Sequence, residues 1–107
     1  MESEREFDSA AWGGKSQVEV IRMALNEIKA ARTLPYNCQE QRDAFIAIRE
    51  KYSALTRAPV NEEVNWIGKN LMYSVIEWMN CSETSLWERM LMCIERTELR
   101  LQRVVGA

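Results

Sequence analysis

Residues 61–80 read NEEVNWIGKNLMYSVIEWMN, and the distribution of apolar side chains along this stretch decides the fold. At about 100° per residue, Val64, Ile67, Leu71, Met72, Val75, Trp78 and Met79 fall on one broad side of a helix, with Ile76 at its margin. Trp66 and Tyr73 fall on the opposite, otherwise polar side, together with Lys69. The apolar arc exceeds half the circumference, so the other helices are expected to be arranged around this one. The aromatic residues on its far face imply further neighbours or contact with another molecule. Tryptophan and tyrosine remove much area from water while keeping a polar handle.

Working outward, Ser16 followed by Glu19 has the spacing of a capping box, in which hydroxyl and carboxylate each satisfy an orphan amide at a helix start. Behind it Val18, Ile21, Ala24, Leu25, Ile28 and Ala31 recur at three and four, and Pro35 disfavours a helical Leu34, which predicts a helix over 16–33. Asn37 with Glu40 repeats the capping spacing, and Gln41, Ala44, Phe45, Ile48, Tyr52 and Leu55 mark one face of a helix over 37–57. Pro59 separates it from the central helix, expected over 61–80 with Asn61 as cap and Glu62 and Glu63 in the first turn, where negative charge suits the dipole. Ser85 with Glu88 predicts a last helix over 84–104, whose core face is Leu86, Met90, Ile94, Thr97, Leu101 and Val104. No stretch alternates with period two. The expected fold is therefore all-α, an antiparallel bundle of about four helices in a single domain, 16–107. Residues 1–15 are expected to form a mobile acidic arm whose Phe7 and Trp12 dock on the body.

Composition restricts the chemistry. The 107 residues contain no histidine, which removes His-activated nucleophiles, the most usual acid or base near neutral pH and the commonest metal ligand. Net charge is −2 from 14 basic and 16 acidic side chains, so no global field draws the chain onto phosphates or an anionic bilayer. Cys38, Cys81 and Cys93 are odd in number without a C-x-x-C, which fits a reducing compartment and a cytoplasmic location. No apolar signal core follows the acidic start and no run is long enough to span a membrane. Neither a cofactor nor a metal is expected.

The last helix segregates its charges. Arg89, Arg96, Arg100 and Arg103 lie within a stripe about 60° wide, while Glu88, Glu95 and Glu98 lie on the other flank. No glutamate there has an arginine three or four residues away, so the pairs that ordinarily stabilise a solvated helix do not form. Counter-charges must come from Glu62, Glu63, Glu77 or the arm, or from another molecule. The expected function is a non-enzymatic protein–protein interaction module that binds a partner of acidic or mixed surface through Trp66, Lys69 and Tyr73, the stripe Arg89, Arg96, Arg100 and Arg103, or both. Self-association as a dimer is an alternative for the aromatic face. Small adaptors, complex subunits and inhibitors, including those of phages and viruses, share this size and lack of chemistry.

Two other classes are implied less directly. Glu40-x-x-Asp43 and Glu95-x-x-Glu98 resemble, in residue type and with the order of the pairs reversed, the paired carboxylates of the all-α nucleotide pyrophosphatases of the MazG kind. That resemblance implies Mg²⁺-dependent hydrolysis with the four carboxylates converging. Local nucleic-acid binding through the arginine stripe is the other, opposed by the neighbouring glutamates. A helix-turn-helix across Ala58-Pro59-Val60 would turn Glu62, Glu63 and Asn65 toward phosphates, which is repulsive.

Overall fold

In the computed structural model, which describes residues 7–58 and 62–105, the chain forms a short 3-10 helix, Ser9–Trp12, followed by α1 (Gln17–Arg32), α2 (Gln39–Lys51), α3 (Ser53–Arg57), α4 (Glu63–Cys81) and α5 (Thr84–Val105). The predicted cap Asn61, the Pro59-Val60 link and the acidic residues Glu2, Glu4 and Glu6 lie outside the described residues. No strand occurs among the described residues, and none of their helices is long and apolar enough to cross a membrane.

The centre of the fold is α4, which packs against each of the other four helices and most extensively against α5. Its buried residues, from Ile67 through Leu71, Met72 and Val75 to Trp78, extend over roughly 220° of its circumference at about 100° per residue. Gly68 permits the close approach to α1, since a Cβ there would lie 3.1 Å from Cδ1 of Ile21. The short link between α4 and α5 reverses the chain direction. Ser82, in the left-handed region at φ 56°, ends α4 with its amide donating to the Trp78 carbonyl, and α5 begins two residues later. The cross-contacts Glu77 with Arg89 and Asn70 with Cys93 then run in opposite senses, as in an antiparallel helical hairpin.

Local signals explain most boundaries. The Ser16 hydroxyl accepts from the Glu19 amide at 3.2 Å, as its spacing predicts. At α2 the cap is Cys38, whose sulfur accepts from the Gln41 amide at 3.4 Å, and not Asn37. Asn37 instead turns through φ 56° and donates its amide to Oε1 of Gln41, which is wholly buried. The Gln41 amide nitrogen also donates to the carbonyls of Ala31 and Leu34, so one side chain satisfies the backbone of the α1–α2 turn. The last helix begins at Thr84, one residue before the predicted cap Ser85.

Two expectations need correction. The single helix over 37–57 is two, because Tyr52 leaves helical geometry at φ −105°, ψ 20°. Fully buried, its ring stacks on Trp12 at 5.5 Å and its hydroxyl donates to the Glu27 carboxylate. Both contacts are tertiary, so helical periodicity could not register them. The segment expected as an arm over 1–15 carries, in its described part, the 3-10 helix capped by Asp8, and Phe7 and Trp12 dock on the core as expected.

Candidate functional site

The sequence presents two separate surfaces, the far face of the central helix and the arginine stripe of the last. The hairpin turn brings them together. Between α4 and α5 lies a half-open groove of about 620 Å³, with Trp66, Asn70, Tyr73 and Glu77 on one wall and Arg89, Met92, Cys93, Arg96 and Arg100 on the other. Ile67, Ser74 and Thr97 contribute to its lining from the core side.

The α4 wall is built by default. The helix is covered over the arc from Ser74 to Lys69, and the remaining arc carries Trp66, Tyr73 and Glu77. Trp66 is 47% exposed and Tyr73 44%, so neither aromatic is core. Lys69 is corrected: at 9% exposure it is buried, on the flank shared with Asn65, whose side-chain oxygen accepts from Gln17 of α1. About 60° of helical rotation separates Lys69 from Trp66, enough to carry it under the covering helices.

On the α5 wall the charges divide. Arg89 donates to Glu77 across the groove at 3.3 Å, so one of the internal counter-charges considered from the sequence is in place. With both side chains well exposed, that pair contributes little. Arg96 and Arg100 line the groove without a salt bridge to any described carboxylate, and Arg103, one turn beyond, likewise has none. Glu98, on the opposite flank, pairs with Lys29 of α1 at 2.6 Å instead. The groove floor is polar where the Cys93 thiol donates to the Asn70 carbonyl at 3.6 Å. Cys38 and Cys93 are partly buried and Cys81 exposed, and all three are free thiols.

Exposed apolar side chains continue outward from the groove. Met92 and Leu99, seven residues apart on α5, are its most exposed large apolar residues. Sequence periodicity assigns Met92 either to core or to an adaptable surface and does not single out Leu99. Only the position of α1 and α4 against α5 leaves both uncovered.

The paired carboxylates do not converge. Asp43 accepts from Gln39 on its own helix, Glu98 is tied to Lys29, and no three of the described cysteine, aspartate and glutamate side chains form a group able to hold a metal ion. Glu40, expected as the acceptor in the α2 capping box, lies in its first turn without that role, which Gln41 takes by accepting from the Asn37 amide. Known proteins add nothing to this picture. No protein-family model, curated protein or solved structure matches the chain.

A second cluster, missed in the sequence, closes the hairpin end of the bundle. Trp78, wholly buried, lies 4.9 Å from Trp87 and 5.3 Å from Phe45, and half-exposed Tyr36 packs edge-on against Trp87 at 5.0 Å. The Arg32 guanidinium sits 4.2 Å over the Trp87 ring and donates to the Trp87 carbonyl at 2.7 Å; burial lowers its pKa from the ordinary arginine value. These contacts tie α1, α2, α4 and α5 together, each ring pair contributing about 0.5–1.5 kcal/mol beyond its area. Trp87 lies just off the apolar stripe of α5, so helical periodicity passes over it.

Proposed function

We propose that this protein is a non-enzymatic interaction module whose binding surface is the groove between α4 and α5. The observation that carries the reading is the meeting of exposed Trp66 and Tyr73 with Arg96 and Arg100 across one groove. Tryptophan, tyrosine and arginine are the residues over-represented at binding hot spots, and methionine gives such a surface an adaptable lining. The groove walls belong to the two most extensively packed helices, so the surface is held by a rigid hairpin rather than by loops. The partner is a protein. Glu77 and Glu88 in the lining and a net charge of −2 oppose the long-range attraction that sustains nucleic-acid binding. Free thiols on an exposed and two partly exposed cysteines fit a reducing compartment, and we place the interaction in the cytoplasm.

The test is affinity capture from a cell extract with immobilised wild type, Trp66→Ala/Tyr73→Ala and Ile46→Ala, after circular dichroism establishes equal helicity. Ile46 is an exposed apolar residue of α2 outside the groove. A protein held by the wild type and by Ile46→Ala, and lost from the double variant, supports the groove. Equal retention on all three would sink it.

A further inference from the structure

We infer that the occupant of the groove is an acidic amphipathic helix of a partner protein, laid along α4 and α5 with its apolar side chains between Trp66 and Tyr73 and its carboxylates on Arg96 and Arg100. The inference rests on the groove being the interface. It is carried by the charge distribution. At the hairpin end, Glu77 already neutralises Arg89. Toward the other end, Arg96 and Arg100 have no described carboxylate, and Arg103 extends the same positive stripe one turn further. No described carboxylate forms an ion pair with the arginines at that end, where Glu62 and Glu63 begin α4, and an acidic ligand supplies that partner.

Length and spacing select a helix among acidic ligands. From Trp66 to Glu77 the α4 wall spans three turns, about 16 Å at 1.5 Å per residue. Trp66 and Tyr73 are seven residues apart on the α4 wall, and Met92 lines the groove from α5. A helix seated along this hairpin meets the anchors with the same period, presenting apolar residues at i, i+3 or i+4, and i+7. Arg96 and Arg100, one turn apart on the α5 wall, are in position to take carboxylates spaced by four on the incoming helix. A small anion would use the arginines but leave Trp66, Tyr73 and Met92 uncovered.

The probe is a fluorescein-labelled, hydrocarbon-stapled 15-residue helix with leucines at i, i+4, i+7 and i+11 and glutamates on both flanks, compared by anisotropy with the same peptide carrying lysine at every glutamate. The expected result is a preference for the acidic peptide of about tenfold or more, reduced by added salt. In Arg96→Glu/Arg100→Glu the preference inverts; should that variant melt early, Arg96→Gln/Arg100→Gln is read instead, with the preference abolished. Trp66→Ala/Tyr73→Ala weakens both peptides alike.

Equal affinity for the two peptides, lost in Trp66→Ala/Tyr73→Ala, overturns the acidic occupant and leaves the groove an interface. Binding of neither peptide, while capture from extract still depends on Trp66 and Tyr73, overturns the helical occupant alone. Failure of both experiments removes the groove as well. Light scattering over a dilution series adds one arm: a dimer that Trp66→Ala/Tyr73→Ala converts to monomer assigns the groove to a second copy of this chain and overturns the inference. Displacement of the acidic peptide by duplex DNA, with steep loss of DNA binding in salt, does the same in favour of phosphates.

Discussion

Single residues in this protein hold positions that a side-chain inventory does not predict, and Tyr52 is the clearest. Its hydroxyl donates to Glu27, its ring stacks on Trp12, and it ends α2. Burial, then the hydrogen bond to Glu27 and the charge of Glu27, raise its pKa above the ordinary tyrosine value. The folded chain therefore holds this proton at pH values where the unfolded chain, titrating near pH 10, releases it. Stability is full below about pH 10 and falls as pH rises beyond. Tyr52→Phe is expected to cost about 1 kcal/mol at pH 8 through the lost hydrogen bond. The gap between wild type and variant, read from urea midpoints, should narrow at pH 11, and a constant gap would refute the account. Tyr52 is legible in the sequence as a core position. Its hydrogen bond and stacking partners are not, because they lie 25 and 40 residues away.

Among the elements, α1 and α4 show how far periodicity reaches. Three-and-four spacing selects Ile21, Ala24, Leu25, Ile28 and Ala31 among the buried residues of α1 but misses buried Val20 and places partly buried Val18 in the core, and the Ser16 cap is in place. Ser16→Ala should lower stability by about 1 kcal/mol, measured by denaturant melts. In α4 the decisive residue is Gly68, which intrinsic propensity marks only as a weak point. A Cβ there meets Ile21 at 3.1 Å, against the end of a flexible side chain. Gly68→Ala is therefore expected within about 1 kcal/mol of wild type, the helix gain offsetting the crowding. Gly68→Val, with two more carbons against the same neighbour, should cost about 1–3 kcal/mol. If both variants are equally stable, the α1–α4 contact is looser than described.

At the scale of the whole molecule, the burial of α4 separates its aromatic residues into two kinds. Trp66→Ala/Tyr73→Ala should leave helicity unchanged and cost about 1–2 kcal/mol, since each ring is about half exposed. Trp78→Ala should cost about 3–5 kcal/mol, because Trp78 is enclosed by Phe45, Tyr36 and Trp87. Melts of the two proteins side by side check this, and equal losses would make Trp66 and Tyr73 core. The all-α class, the central place of residues 61–80 and most core positions follow from the sequence, because helical periodicity and caps are local and each helix must bury its apolar stripe. The break at Tyr52, the burial of Lys69 and the aromatic cluster at Trp87 were decided by tertiary structure alone. So was the union of the Trp66/Tyr73 face with Arg96 and Arg100 in one groove. Each depends on the rotation of one helix against another, and that rotation is set by how all the stripes pack at once.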